Sequence, residues 1–319
     1  MATLGIDVSK KTFDATLIDD TGKEHHRQFK NNEKGFNKLE SWLNKHNVTE
    51  LHVCMEATNI YWEKLADFLY KKGYQVSVVN PSRIKGFAVS QLQRNKNDKL
   101  DSKVIATFCA TIKPKLWIPP TDEQRKLRAM SRHLDNLKKG KTQHTNRLET
   151  CTDPVVQSSL QLMIDTFDKQ IIDIEQQIQK LIDQYPDLKE QQELLMSIKG
   201  IGATTAIKLM AEMYDLGEYT SAPAAAADAG LTPSQHQSGT SIYRRPKLSK
   251  VGKASVRAAL YWPAITAMTH NPIIRDLKER LQAKGKNKKV IIGAAMRKLL
   301  HIAYGVLKNK TPFDPAYAN

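Results

Sequence analysis

A chain of 319 residues and 36.1 kDa with 40% hydrophobic and 26% charged residues is an ordinary folded protein with room for two domains, which excludes a disordered chain. No stretch reads as the roughly 20 apolar residues that cross a bilayer. The start shows no export signal, and Cys54, Cys109 and Cys151 are too few and scattered for a disulfide framework or structural zinc, so a cytoplasmic protein without membrane attachment is expected. The formal net charge of +16 is concentrated: residues 239–319 hold 17 Lys and Arg against 3 Asp and Glu, a net +14, while the other 238 residues carry 32 against 30. Such asymmetry points to a polyanion docking on the C-terminal part.

In chain order, residues 3–8 and 11–18 are predicted strands, the second with Phe13, Ala15 and Leu17 alternating, and a turn at Asp20-Thr21-Gly22 leads to a polar strand near 23–30. Asn32 is placed to cap a helix with Phe36, Leu39 and Leu43 on its apolar face. A buried strand at 51–55, a helix at about 60–72, a strand at 75–79 ended by Asn80-Pro81, and a helix from about 98 to 111 follow. This order gives a sheet that begins with antiparallel strands and continues through right-handed crossovers. His25 and His26, on the polar strand, are expected to face solvent. Asp7 interrupts the apolar run of the first strand and Glu56 closes the run from Leu51, at the strand ends where open α/β sheets place their sites. Asp98 and Asp101, three apart at a helix start, share one side of it. An ionised acid beside buried strand residues is costly unless a positive group compensates. A pair of divalent metals is the compensation that also acts on phosphodiesters.

After Pro119-Pro120 the pattern is long and helical, with Leu127, Met130, Leu134 and Leu137 and then Phe167, Ile171, Ile174, Ile178 and Leu181 at three-four spacing. Two such helices form either an antiparallel hairpin or a coiled coil between subunits, and the reading leans to assembly. The turn Lys199-Gly200-Ile201-Gly202 leaves amides free at a helix start, as in a helix-hairpin-helix that holds phosphates without reading sequence. The alanine-rich run from Ala222 to Gly230 reads as close packing without chemistry. From Gln237 to Lys253, hydroxyl residues sit among Arg244, Arg245, Lys247, Lys250 and Lys253, which fits either a strand-cleavage site or a phosphate-binding loop with incidental serines. Lys284, Lys286, Lys288 and Lys289 around Gly285 read as a loop gripping backbone farther away. Few aromatics interleave these cations apart from Tyr243, Tyr261 and Trp262, so no base-reading code is visible. His301, in an apolar helix, reads as a satisfied core residue.

Asp7, Glu56-Ala57-Thr58, Asp98-x-x-Asp101, Gly200-Ile201-Gly202, and Ser238-Gly239 followed by Ser249-Lys250-x-Gly252 occur in order over most of the chain. As an ordered set they resemble the DEDD transposases of the IS110 family of bacterial insertion sequences, recombinases guided by a structured bridge RNA. The resemblance implies an N-terminal RuvC-like (RNase H-like) domain at 1–122 whose four acids hold Mg²⁺, long assembly helices at 123–186, and a C-terminal transposase domain at 187–319. That last domain would be mainly helical, with a helix-hairpin-helix and a nucleophilic serine, by position Ser238 rather than Ser241. The resemblance further implies a 5′-phosphoserine link with a free 3′-hydroxyl, and dimers that assemble into tetramers on target and donor DNA with bridge RNA. Asn59 stands where the family often has glycine, and Ser102 where alanine is usual.

Breaking and remaking a phosphodiester without an external energy source favours a covalent enzyme–DNA link, which water attack would waste. Ser238 lies far from the acids in sequence, so folding or a partner subunit must bring them together. Two rival readings are a metal-dependent nuclease or junction resolvase that uses water, with Ser238 dispensable, and a non-catalytic nucleic-acid binder.

Overall fold

The computed structural model describes residues 1–48, 50–91, 98–238 and 242–317, without the side chains of 235–238, 242–246 and 317. The chain divides into two compact units, Met1–Pro119 and Pro120–Asn319.

The first unit is built on a five-stranded sheet of β1 (Ala2–Val8), β2 (Thr12–Ile18), β3 (Glu24–Lys30), β4 (Leu51–Glu56) and β5 (Gln75–Val79), in the order β3-β2-β1-β4-β5. β1, β2 and β3 pair antiparallel, and β4 and β5 add in parallel through crossovers. The crossover helices are α1 (Glu33–Lys45) and α2 (Glu63–Lys71), and α3 (Pro81–Ser90) and α4 (Asp98–Ile112) follow the sheet. Asn32 caps α1 by accepting from the Gly35 amide, as its position in the sequence predicts. α3 is missing from the sequence reading, where Asn80-Pro81 served only as a strand stop. Pro81 instead begins the helix with Asn80 as its cap, a place where proline's missing N–H costs nothing.

Alternation sorts the strands into two faces. Leu4, Ile6, Phe13, Ala15, Leu17, Val53 and Met55 pack on one side with Phe36, Leu39, Leu65 and Leu69. The opposite face belongs to α4, where Cys54 packs with Val104, Ile105, Phe108 and Cys109. The Cys109 thiol donates to the His52 carbonyl oxygen at 3.6 Å and packs beside Cys54, a proximity that their separation in sequence concealed.

The second unit opens with α5 (Asp122–Thr150) and α6 (Pro154–Gln184), which pack antiparallel within the chain. Lys138 meets Glu175, Lys141 meets Asp168, and Gly140 leaves room for the Phe167 ring. This pairing corrects the leaning towards a coiled coil between subunits. Heptad spacing marks an apolar seam but carries no information on which chain supplies the partner.

Then come α7 (Pro186–Met196), α8 (Ala203–Glu212), α9 (Ala222–Asp228), the hairpin strands β6 (Pro233–Ser238) and β7 (Ile242–Leu248), and α10 (Ala254–His270), α11 (Pro272–Ala283) and α12 (Lys288–Asn309). The hairpin is an addition to the expected mainly helical domain. Its polar strands, with Pro233 and Pro246, show none of the apolar alternation by which strands are recognised. A second correction concerns α12, whose 22 residues are long and apolar enough by themselves to cross a membrane. Its Ile291, Ile292, Ala295, Met296, Leu299, Leu300 and Ala303 are instead buried in the core of this unit. Ion pairs with one buried partner tie the helices: exposed Arg132 donates two bonds to buried Glu212 at 2.8 and 2.9 Å, and buried Lys208 reaches Asp135.

Candidate active site

Asp7 lies on β1 on the same face as Gly5, and Gly5 determines how near α4 can come. A Cβ on Gly5 would stand 2.1 Å from the Ala106 nitrogen and 2.2 Å from the Ser102 carbonyl oxygen, so only glycine admits the helix backbone there. Ser102 locks the same seam, its hydroxyl 2.8 Å from that of Thr16 on β2. This gives the serine that departs from the resembled pattern a packing role. The close approach sets the start of α4, where Asp98 and Asp101 stand in the first turn, on the side of the sheet that carries Asp7.

Glu56 ends β4 two residues beyond Cys54 and so shares that face. Thr58 donates to its carboxylate at 2.6 Å. The chain then turns through Asn59 in the left-handed region, φ 56°. Asparagine tolerates that conformation and glycine is freest in it, which accounts for the residue found here and for the glycine often found in its place.

The electrostatics show that these acids share one field. The Asp7 carboxyl is pushed up to about 6, first by burial and then by the charges of Asp101, Asp98, Glu56 and Asp14. Asp14 escaped the sequence reading. It faces Asp7 across the β1–β2 ladder and is buried, with its two carboxylate oxygens held by His26 Nε2 at 3.0 Å and Gln28 Nε2 at 2.9 Å. Its position opposite Asp7 in an antiparallel pair was the available signal. His26 is exposed, as expected, and is engaged by Asp14 as well. His25 is instead half-buried, bonds Asp19 at 2.9 Å and lies with its ring tilted against that of His46.

The acids carry the hard oxygen donors that Mg²⁺ prefers, and their mutual repulsion is what a divalent cation would relieve. Among the described residues no three His, Cys, Asp or Glu side chains are gathered closely enough to grip an ion as they stand. Binding would therefore draw the carboxylates together.

In the second unit, Gly200 has φ 109°, and a Cβ there would meet that of Ala267 at 2.7 Å, while Gly202 caps α8. Lys199 beside them is exposed, and its carbonyl oxygen accepts from the buried Asn271 amide at 3.3 Å. Ser238 ends β6 with Ile242 as its cross-strand partner. The side chains of Ser238, Arg244 and Arg245, and all of Gly239, Thr240 and Ser241, lie outside what the structure describes. Lys247 and Lys250 are exposed. Lys253 is committed to Asp228 at 2.9 Å, and Tyr219 donates to the same carboxylate at 2.6 Å. The alanine-rich helix thus ends in an anchor for the loop behind the hairpin, which its composition did not suggest. Gly252, φ 133°, completes the anchor, since a Cβ would lie 2.1 Å from the Asp228 carbonyl oxygen. Lys284, Lys286, Lys288 and Lys289 are all exposed around the capped start of α12. His301 does not fit its expected satisfied state: its Nε2 is buried without a hydrogen-bond partner among the described residues. Burial and the nearby Arg297 and Lys298 hold its pKa below the ordinary histidine value.

Comparison with known proteins identifies the class. A family model described as "Transposase", for DEDD transposases of IS110, matches residues 4–155, and one described as "Transposase IS116/IS110/IS902 family" matches residues 192–279. The chain is 37% identical over 314 residues to the pilin gene-inverting proteins of Moraxella bovis and Moraxella lacunata, covering 98% of this chain and 97% of each relative. It is 26% identical over 165 residues to an insertion element IS110 protein of 43.6 kDa from Streptomyces coelicolor, covering 52% of this chain and 40% of that one. An α/β domain joined to a helical domain and matched along its length in this way is a DNA recombinase. The chain belongs to the IS110 family of transposases.

Proposed function

We propose that the chain cuts and rejoins DNA through a serine–DNA link formed by Ser238, with Asp7, Glu56, Asp98 and Asp101 as Mg²⁺ ligands, and that a bridge RNA guides it to target and donor DNA. The observation that supports the metal assignment is the placement of Asp7 on β1, Glu56 at the end of β4 and Asp98 and Asp101 in the first turn of α4 on one side of the sheet. The Asp7 carboxyl is raised by burial first and then by the other acids. The strand order and the acids on one face support an RNase H-like reading of the first unit. The tight α7–α8 turn supports a helix-hairpin-helix. When bound, Mg²⁺ supplies positive charge to the oxygens of a phosphate undergoing in-line displacement.

The chain's own part begins with binding. Lys199, Gly200 and Gly202, together with Arg244, Arg245, Lys247 and Lys250, are assigned to phosphates near the cut, and Lys284, Lys286, Lys288 and Lys289 to backbone farther away. Lys253 and Asp228 hold the loop that follows the hairpin. The Ser238 hydroxyl oxygen bonds to phosphorus as the bond to the 3′ oxygen breaks, giving a 5′-phosphoserine and a free 3′-hydroxyl. Attack by another 3′-hydroxyl releases the serine and rejoins the strand, so bond energy is conserved. Between two sites on one molecule the same exchange inverts the intervening segment, which matches the name of the Moraxella relatives. Exposed cations without an evident base-reading pattern suit a protein that leaves sequence recognition to guide pairing.

The test is Ser238→Ala on supercoiled substrate with Mg²⁺. The serine reading expects no covalent protein–DNA adduct and no strand exchange, whereas undiminished cutting would make the protein a water-using nuclease. Mixing Ser238→Ala with Asp7→Ala chains restores activity if the catalytic groups are shared between subunits of a dimer or tetramer. Omitting the RNA should abolish site-specific exchange while general DNA retention persists.

A further inference from the structure

Tyr261 and Trp262 lie on the solvent side of α10, 41% and 71% exposed, with their rings edge to face at 5.5 Å. An indole is among the side chains that gain most from burial, so one left this open on a well-packed helix is an uncompensated apolar surface. The rest of the helix is not loosely packed: Val256, Leu260, Ala264 and Ala267 are buried on its other side. One helical turn before and after Trp262 stand Ala258 and Thr266, both short and both exposed. Nothing long therefore rises beside the indole, and a flat group can reach its face.

The charge around this surface selects the kind of flat group. Residues 254–270 contain no Asp or Glu, and of the cations at the start of the helix Lys253 is already paired with Asp228. Arg257 is fixed there by donating to the carbonyls of Ala229 and Gly252 at 2.9 and 3.2 Å. Exposed Lys247 and Lys250 lie just before the helix. An apolar plate on an acid-free helix, in a segment of net +14 and preceded by exposed Lys247 and Lys250, matches a base stacked on the aromatic ring, with the strand's phosphates drawn to the same part of the chain.

We infer that Trp262, supported by Tyr261, is a stacking platform for an unpaired DNA base. DNA strand exchange exposes such bases between cutting and rejoining. The inference rests on the recombinase class of the chain and on the geometry of α10, not on the serine or the metal ligands.

The experiment uses the full chain with two duplexes of equal length, one carrying a short single-stranded gap with 2-aminopurine in it and one fully paired. The wild type should quench the 2-aminopurine. Trp262→Ala should lose that quenching and bind the gapped duplex about tenfold more weakly, with fully paired binding changed by less than about twofold. Trp262→Phe should recover most of both signals, and the salt dependence of binding should stay the same because no phosphate contact is removed. The idea is overturned if Trp262→Ala binds and quenches like wild type, or weakens both duplexes equally. It is likewise overturned if only a gapped RNA strand responds, or if the variant sediments as a smaller species while gapped-DNA binding is unchanged. Because Trp262 is exposed, an unchanged melting temperature is expected and separates the readout from misfolding.

Discussion

The Asp7 carboxyl, held near 6 by burial and neighbouring acids, makes the protein's stability depend on pH in a direction opposite to that of a salt-bridged acid. Between about 4 and 6 the folded chain binds more protons at this position than the unfolded one. In chelator the stability contribution is present at the low end of that window and is lost as pH rises through 6. Allowing for the group's partial exposure, the loss is on the order of 1–2 kcal/mol. Urea unfolding of Asp7→Asn should show a flatter stability profile over this window than wild type, and Mg²⁺ should abolish the difference at pH 7 by stabilising the wild type alone. Identical profiles for the two proteins would mean that the acids do not share a field. Asp7, Glu56, Asp98 and Asp101 were legible from sequence because each acid interrupts or ends a predictable element. Asp14 was not, because the pairing register that sets it opposite Asp7 belongs to two strands at once.

At the scale of elements, the seam between β1 and α4 depends on a missing methyl group. Gly5→Ala places a carbon inside contact distance of two α4 backbone atoms, where no side-chain rotation relieves it. A stability loss of about 3 kcal/mol is expected by denaturant midpoint, with the helix displaced from the sheet. Recombination should fall further than the loss of folded protein explains. The α5–α8 contact fails for a different reason. Arg132→Ala leaves the buried Glu212 carboxylate without its two-bond partner and should cost about 1.5–3 kcal/mol, the exposed side of Arg132 keeping the loss below that of a fully buried pair, and replacing both residues by apolar ones should recover much of it in a double-mutant cycle. Helices with clean three-four spacing were predictable almost to their ends, as were strands with apolar alternation. α3 and the β6–β7 hairpin were not, because proline and polar residues mask the period on which such readings depend.

At the scale of the whole molecule, a net +14 in the last 81 residues makes nucleic-acid binding an electrostatic event. Affinity for any duplex should fall steeply with salt as counterions return to the phosphates. Replacing Lys286 and Lys289 together by alanine should lower the slope of log K against log salt by about 2 and weaken all sequences alike, which titrations at several salt concentrations will measure. A change confined to one sequence would mean that these lysines read bases instead.

By itself the sequence determined the family, the run of cations and most of the secondary structure, and it singled out four acids as candidate ligands. These follow from residue identity and local spacing, which chain order preserves. The tertiary structure decided that the two long helices pair within the chain, that α12 is core, that Asp14 joins the acidic face and that Trp262 stands open to solvent. Each of those depends on which distant segment covers a side chain. Burial and electrostatic fields are set by neighbours in space, and no periodicity along the chain records them.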